Sequence, residues 1–294
     1  MRVLFIIIIL MTLLSCAGTH QRGPAARSIQ LIEQDLVIHS NTLKMDYPYM
    51  IYRPDVVSSE PLPVVYFLHG RGGTRKMLKD VNGVKIMKNY LERGGKPFVL
   101  VALSGSFNGK DTYWVDDARN GGLQIKTAIL REIIPAIEKL HKIGGSSRNR
   151  MIAGISMGSH GSFQLSLNSY GMFKCTAGHS LVIRDYQSMS KEFPGLFGNR
   201  SQHARRDPLS LVKQYILGFS PPIKNVWIDI GGKDNPNFLR WARGFQAELE
   251  RVGYDEREGD KFDVGIDYPE GRHDSPYWTT RLPEYLEWYG QCFK

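Results

Sequence analysis

The chain has 294 residues, 38 Lys and Arg against 29 Asp and Glu for a formal charge of +9, and 42% hydrophobic residues. That apolar fraction, with no glycine period and no Pro/Ser tract, excludes disordered, collagen-like and low-complexity chains. Beyond the N-terminus no apolar run approaches the roughly 20 residues of a spanning helix, which excludes a polytopic membrane protein.

Met1 and Arg2 precede an apolar run, Val3 to Leu14, broken by Thr12 and followed by Ser15, Cys16, Ala17 and Gly18. The run is short for a membrane span, so residues 1–15 are read as an export leader that is removed. Leu13-Leu14-Ser15-Cys16 resembles a bacterial lipobox, which implies cleavage before Cys16, its lipidation and a membrane anchor. The plainer alternative is a secretory peptide with an incidental cysteine. Residues 16–30 lack periodicity and read as a tether to a single domain, 31–294.

Asp35 to His39 and Lys44 to Tyr52 alternate like a hairpin at a sheet edge. Val64–Leu68, Phe98–Leu103, Met151–Ile155 and Val226–Ile230 are short, nearly continuous apolar runs, the pattern of strands buried on both faces of a parallel sheet. Helical patterns alternate with them over Val84–Arg93, Leu123–Ile143, Met157–Asn168, Phe238–Val252 and Thr279–Tyr289, with Pro135 expected to bend the second. This order predicts an α/β fold with helices on both faces and a ligand beyond the carboxyl ends of the strands. Residues 181–220 break the rhythm and read as an irregular insertion over the site.

Gly154-Ile155-Ser156-Met157-Gly158 lies directly between an apolar strand and a helical pattern, the context a nucleophile elbow requires. A serine hydroxyl needs a histidine to take its proton and a carboxylate to orient that histidine, and on such sheets the chain order is Ser, acid, His. His273, in the loop Pro269 to Asp274 between a strand-like run and the last helix, fits the base. Asp234, in the loop after Val226–Ile230, fits the acid, with a helix cap as its structural alternative. His160 is too close to Ser156 in sequence to return over it. His203, among Arg205 and Arg206, reads as a solvated surface residue. His179 is open to a structural or a substrate-facing role. Backbone donors for an oxyanion are expected from Met157 and from Leu68-His69-Gly70-Arg71-Gly72-Gly73, with Arg71 chosen over Gly72.

These motifs, together with Tyr66-Phe67-Leu68-His69-Gly70, Glu132 to Glu138, Gly231-Gly232-Lys233-Asp234 and Gly271-Arg272-His273-Asp274 followed by Tyr277-Trp278, resemble the esterase D or putative esterase family. That family includes S-formylglutathione hydrolases, feruloyl and acetylxylan esterases and trehalose mycolyltransferases. The resemblance implies an α/β-hydrolase fold with a mostly parallel sheet of about eight strands. It also implies Ser156 as nucleophile, Asp234 as acid, His273 as base, and Arg71 with Met157 as oxyanion donors. In feruloyl-esterase-like members an aromatic loop lies near the acyl or sugar group, which makes Trp114 a substrate-stacking residue or, equally, a core anchor. Members usually carry another glycine where this chain has Ser159-His160, and the export leader argues against a cytosolic glutathione thioester.

The expected activity is cleavage of carbohydrate-linked or phenolic esters through an acyl-enzyme on Ser156, with no cofactor and no metal. The sequence does not separate water from an alcohol as acceptor, so an acyltransferase is a rival, as is a non-catalytic surface binding protein on the same fold. Basic residues are interspersed with acids, which argues against nucleic acid. Cys175 and Cys292 are expected as free buried thiols.

Overall fold

The structure, a computed structural model, describes residues 29–215, 223, 225–254 and 260–294. The leader, Cys16 and the tether through residue 28 lie outside the described residues, as do positions 216–220 of the insertion.

The chain opens with an antiparallel hairpin, β1 (Leu31–Ser40) and β2 (Met45–Pro54). Next come β3 (Val64–Leu68), helices α1 (Met77–Asp80) and α2 (Gly83–Glu92), then β4 (Val99–Leu103) and a two-rung hairpin of β5 (Ser106–Phe107) and β6 (Lys110–Asp111). Helices α3 (Ile125–Ala128) and α4 (Ile134–His141) precede β7 (Arg150–Ile155), α5 (Met157–Leu167) and β8 (Cys175–His179). The insertion carries α6 (Tyr186–Glu192), α7 (Arg200–Ala204) and α8 (Pro208–Lys213). The chain ends with β9 (Val226–Ile230), α9 (Pro236–Arg251), β10 (Lys261–Val264) and α10 (Ser275–Cys292).

The main sheet has the order β1-β2-β4-β3-β7-β8-β9-β10, parallel from β4 to β10 and antiparallel at the β1-β2 edge. Side chains alternate across it. Val64, Tyr66 and Leu68 of β3 pack under α3 and α4, while Val65 and Phe67 join α2 and α10 on the opposite face. Between α3 and α4 the ladder widens into a π-helical turn, Ile129–Ile133. Pro135, which has no N–H to offer that turn, follows it closely.

Two expectations fail. Cys175 and Cys292 form a disulfide across a separation of 117 residues, with Cα atoms 6.2 Å apart. The two lie on opposite sides of the domain only in sequence, because α10 folds back along β8 and brings its last turn to the strand's first residue. His203 is buried against Tyr186 and Phe197 rather than solvated.

Candidate active site

Ser156 occupies the turn from β7 into α5 with φ +56° and ψ −117°, a region costly for any residue with a side chain. The turn is tight enough that a Cβ at Gly154 would strike the Gly158 backbone, and one at Gly158 would strike the Leu68 carbonyl. Two anchors hold the serine. Its N–H donates to the His179 carbonyl at 2.9 Å, and its carbonyl accepts from the Ser159 hydroxyl at 2.5 Å. Ser159 also accepts the Val182 N–H at 3.0 Å, which ties the elbow helix to the start of the insertion.

The structure brings Ser156, His273 and Asp234 together. His273 Nε2 lies 2.7 Å from Ser156 Oγ, and its Nδ1 lies 2.7 Å from Asp234 Oδ2. The Asp234 side chain is wholly buried, whereas a quarter of the His273 ring remains exposed to the cleft. Asp234 Oδ1 accepts the Asn235 N–H, and capping of α9 falls to Asn235, whose side chain accepts the Asn237 N–H at 2.9 Å. Asp234 is thereby free of the capping role that sequence left open. The two loops are stitched together: Gly232 N–H donates to the Tyr268 carbonyl and Lys233 N–H to the Gly271 carbonyl, both at 2.9 Å. Asp274 fixes the far side of the histidine loop by capping α10 through the Tyr277 N–H at 3.0 Å.

The loop after β3 lies against the serine, so near that a Cβ at Gly70 would stand 3.2 Å from the Ser156 Cβ. Buried His69 braces that loop. Its Nε2 accepts the Gly105 N–H at 2.9 Å, so the proton sits on Nδ1, which donates to the Gly70 carbonyl at 2.8 Å. Burial lowers the pKa of His69, which keeps it neutral in this bracing role. The Gly72 N–H donates to Asp111 Oδ1 at 3.3 Å and is engaged there.

A cleft of about 840 Å³ opens over Ser156 and His273. Phe238, Trp241 and Trp278 form one wall, and Arg71, Asp111, Tyr113, Arg184 and Glu192 form another. Glu192 bridges Arg71 and Arg184. Burial opposes its charge, but the two guanidiniums prevail and hold its carboxyl below the usual range.

Neither Trp114 nor His179, for which a substrate-facing role was open, lines the cleft. Trp114 is fully buried and packs edge-on against His69, with ring centroids 5.1 Å apart. Its neighbour Tyr113 lines the cleft instead, because both residues take positive φ, 50° and 60°, and the sharp bend sends consecutive side chains to opposite environments. His179 is fully buried, its Nδ1 2.5 Å from Asp229 Oδ2, its Nε2 2.7 Å from the Tyr289 hydroxyl and its ring stacked on Tyr285. At the end of β8 it shares the face of Cys175 and Ala177, toward α10 and away from the cleft. The cleft residues sequence reading missed, Arg184, Glu192, Phe238 and Trp241, come from helices and an insertion whose inward faces carry no local motif.

A family model described as Putative esterase matches residues 40–289. Among solved structures, a ferulic acid esterase superposes with a TM-score of 0.73 at 20% identity, covering 90% of this chain and all of its own. An S-formylglutathione hydrolase from Agrobacterium tumefaciens gives 0.69 at 20% identity, covering 90% and 96%. The corresponding enzyme from Staphylococcus aureus gives 0.70 at 20% identity, covering 89% and 99%. At these identities the likeness is one of fold, the α/β-hydrolase fold. No curated protein sequence matches the chain.

Proposed function

The chain belongs to the putative esterase family and is a carboxylic ester hydrolase; from that premise we propose that it works through an acyl-enzyme on Ser156, with His273 as base and Asp234 as the group that orients it. The observation that carries this reading is the unbroken Ser156–His273–Asp234 hydrogen-bonded line, two contacts of 2.7 Å opening onto one cleft. Ser156 Oγ attacks the ester carbonyl while His273 Nε2 takes its proton, and the buried Asp234 carboxylate stabilises the imidazolium. The N–H groups of Met157 and Arg71 receive the oxyanion, a role for which Gly72, already bonded to Asp111, is the weaker choice. His273 returns the proton to the leaving alcohol, and water then releases the acid by the reverse sequence.

Substitution of Ser156 by Ala tests the assignment. Turnover of an aryl acetate is expected to fall by about 10⁴-fold or more, with an unchanged melting temperature. A fluorophosphonate probe is expected to label the native chain and not the variant; retained turnover in the variant moves the nucleophile elsewhere.

The substrates proposed are carbohydrate-linked or phenolic esters, which suits a cleft with one aromatic and one hydrogen-bonding wall. The site proposed is outside the cytoplasm, with the chain lipid-anchored through Cys16. The leader pattern supports export, and so does the Cys175–Cys292 disulfide, since such bonds persist in oxidising compartments. Replacement of Cys16 by Ser is expected to move the protein from the membrane fraction to the soluble fraction of cells expressing it. An unaltered distribution argues against the anchor.

A further inference from the structure

The two walls of the cleft attach to different partners of Ser156. Phe238 and Trp278 lie against His273, with ring centroids 5.5 and 5.6 Å away, and Trp241 extends that wall beyond Phe238. The charged wall grows from the loop that touches the serine: Arg71 follows Gly70, and its guanidinium meets Glu192, which Arg184 holds from the insertion at 2.5 Å. Tyr113 completes this wall, lining the same cleft as Arg184 and meeting Phe193 edge-on, 4.6 Å between centroids.

The chemistry fixes which half of an ester meets which wall. In acylation the bond from Ser156 Oγ to the carbonyl carbon forms and the bond from that carbon to the alcohol oxygen breaks. The alcohol leaves with the proton that His273 took from the serine. The leaving oxygen must therefore come within hydrogen-bond reach of His273 Nε2, and the group behind it runs along the wall built on that ring. The acyl chain leaves the carbonyl carbon on the other side, toward Arg71 and Arg184.

We propose that the substrates are hemiesters, with an aromatic alcohol half stacked on Phe238, Trp241 and Trp278 and an acyl half whose free carboxylate takes the place of Glu192 between Arg71 and Arg184. The proposal rests on the serine-esterase reading and narrows its substrate class. Glu192 identifies the chemistry of the acyl end, because a carboxylate already bridges the two guanidiniums there. Planar guanidiniums suit a carboxylate, and each has N–H donors beyond the one given to Glu192. An aromatic acyl group on a sugar alcohol, the reverse orientation, sets the charged wall against a ring and the aromatic wall against hydroxyls.

The test compares 2-naphthylmethyl hydrogen adipate with 2-naphthylmethyl hexanoate, which share an alcohol and chain length, and with methyl hydrogen adipate, which shares the acid. The adipate is expected to exceed the hexanoate in kcat/KM by about tenfold, the worth of one charge-assisted contact. That ratio is expected to approach one in Arg184→Met and to rise in Glu192→Gln, a near-isosteric change at a half-exposed site. Trp241→Ala is expected to bring the naphthylmethyl ester toward the methyl ester in kcat/KM. It is also expected to leave the decay of the adipoyl-enzyme, followed by mass spectrometry, at its native rate, because the alcohol has departed by then. Preference for the hexanoate, or slowing of that decay in Trp241→Ala, overturns the orientation while fluorophosphonate labelling of Ser156 upholds the esterase reading. Failure both to label and to turn over any ester removes that reading and the proposal with it.

Discussion

Ser156 sits at φ +56° because its neighbours leave it no alternative: the His179 carbonyl takes its N–H and Ser159 takes its carbonyl. The strain belongs to the backbone, so removing Oγ leaves it in place, which is why activity and stability should separate in the Ser156→Ala variant. Asp234→Asn keeps the shape but lets the amide present a donor to His273 Nδ1 and favours the wrong tautomer. Turnover is expected to drop by about 10³- to 10⁴-fold. His160 serves a different purpose. Fully buried, with Nδ1 lacking a partner among the described residues, it has its pKa lowered to about 3, chiefly by burial and then by the nearby His203. The unfolded chain binds that proton near pH 6.5, so His160 stabilises the fold above about pH 6.5 and the benefit is lost as pH falls toward 3. Urea unfolding followed between pH 7 and 4 is expected to show falling stability, with a shallower slope in His160→Phe. The convergence of Ser156, Asp234 and His273 was legible because each follows a strand, and strand order dictates which loops meet. For Trp114 and His179 the sequence left a structural and a substrate-facing role open, because residue type at a loop or strand end does not reveal which face the side chain takes.

The segments that support the site are braced from beneath. Tyr113 and Trp114 share a bend that presses the indole between Gly105 and Gly161 and against His69, the residue that holds Gly70. A Cβ at Gly161 would meet the Trp114 ring, so Gly161→Ala is expected to disturb the Gly70 loop. Its signature is a fall in kcat for aryl acetates with little change in KM, since a donor to the oxyanion acts mainly in the transition state. On the opposite face, buried Asp229 accepts the hydroxyls of Tyr277 and Tyr285 at 3.0 and 2.9 Å and pairs with His179, tying α10 to β8 and β9. The Cys175–Cys292 bond fastens the far end of the same helix. Replacing both cysteines with serine is expected to cost about 2–5 kcal/mol, read as a lower melting temperature. None of the bracing around α10 was visible in the sequence, where its partners are separated by 48 to 117 residues.

The order of the main strands and helices was legible because apolar runs buried on two faces differ in length and spacing from amphipathic helices, whereas α1, the β5–β6 hairpin and the insertion helices α6 to α8 were not. The sheet places its carboxyl ends, and with them the loops of Ser156, Asp234 and His273, along one rim, which is where a crossover topology leaves room for a ligand. The shape of the cleft was not legible, since its walls are assembled from α1, the β5–β6 hairpin, α6, α9 and α10 together with the loops between them. One further property follows from the way α10 lies on β8. The strand's last carbonyl secures the serine and the helix begins just past the histidine, while the sulfur bridge joins the other ends of both. Reductant acting at that remote end is therefore expected to slow hydrolysis before it melts the chain.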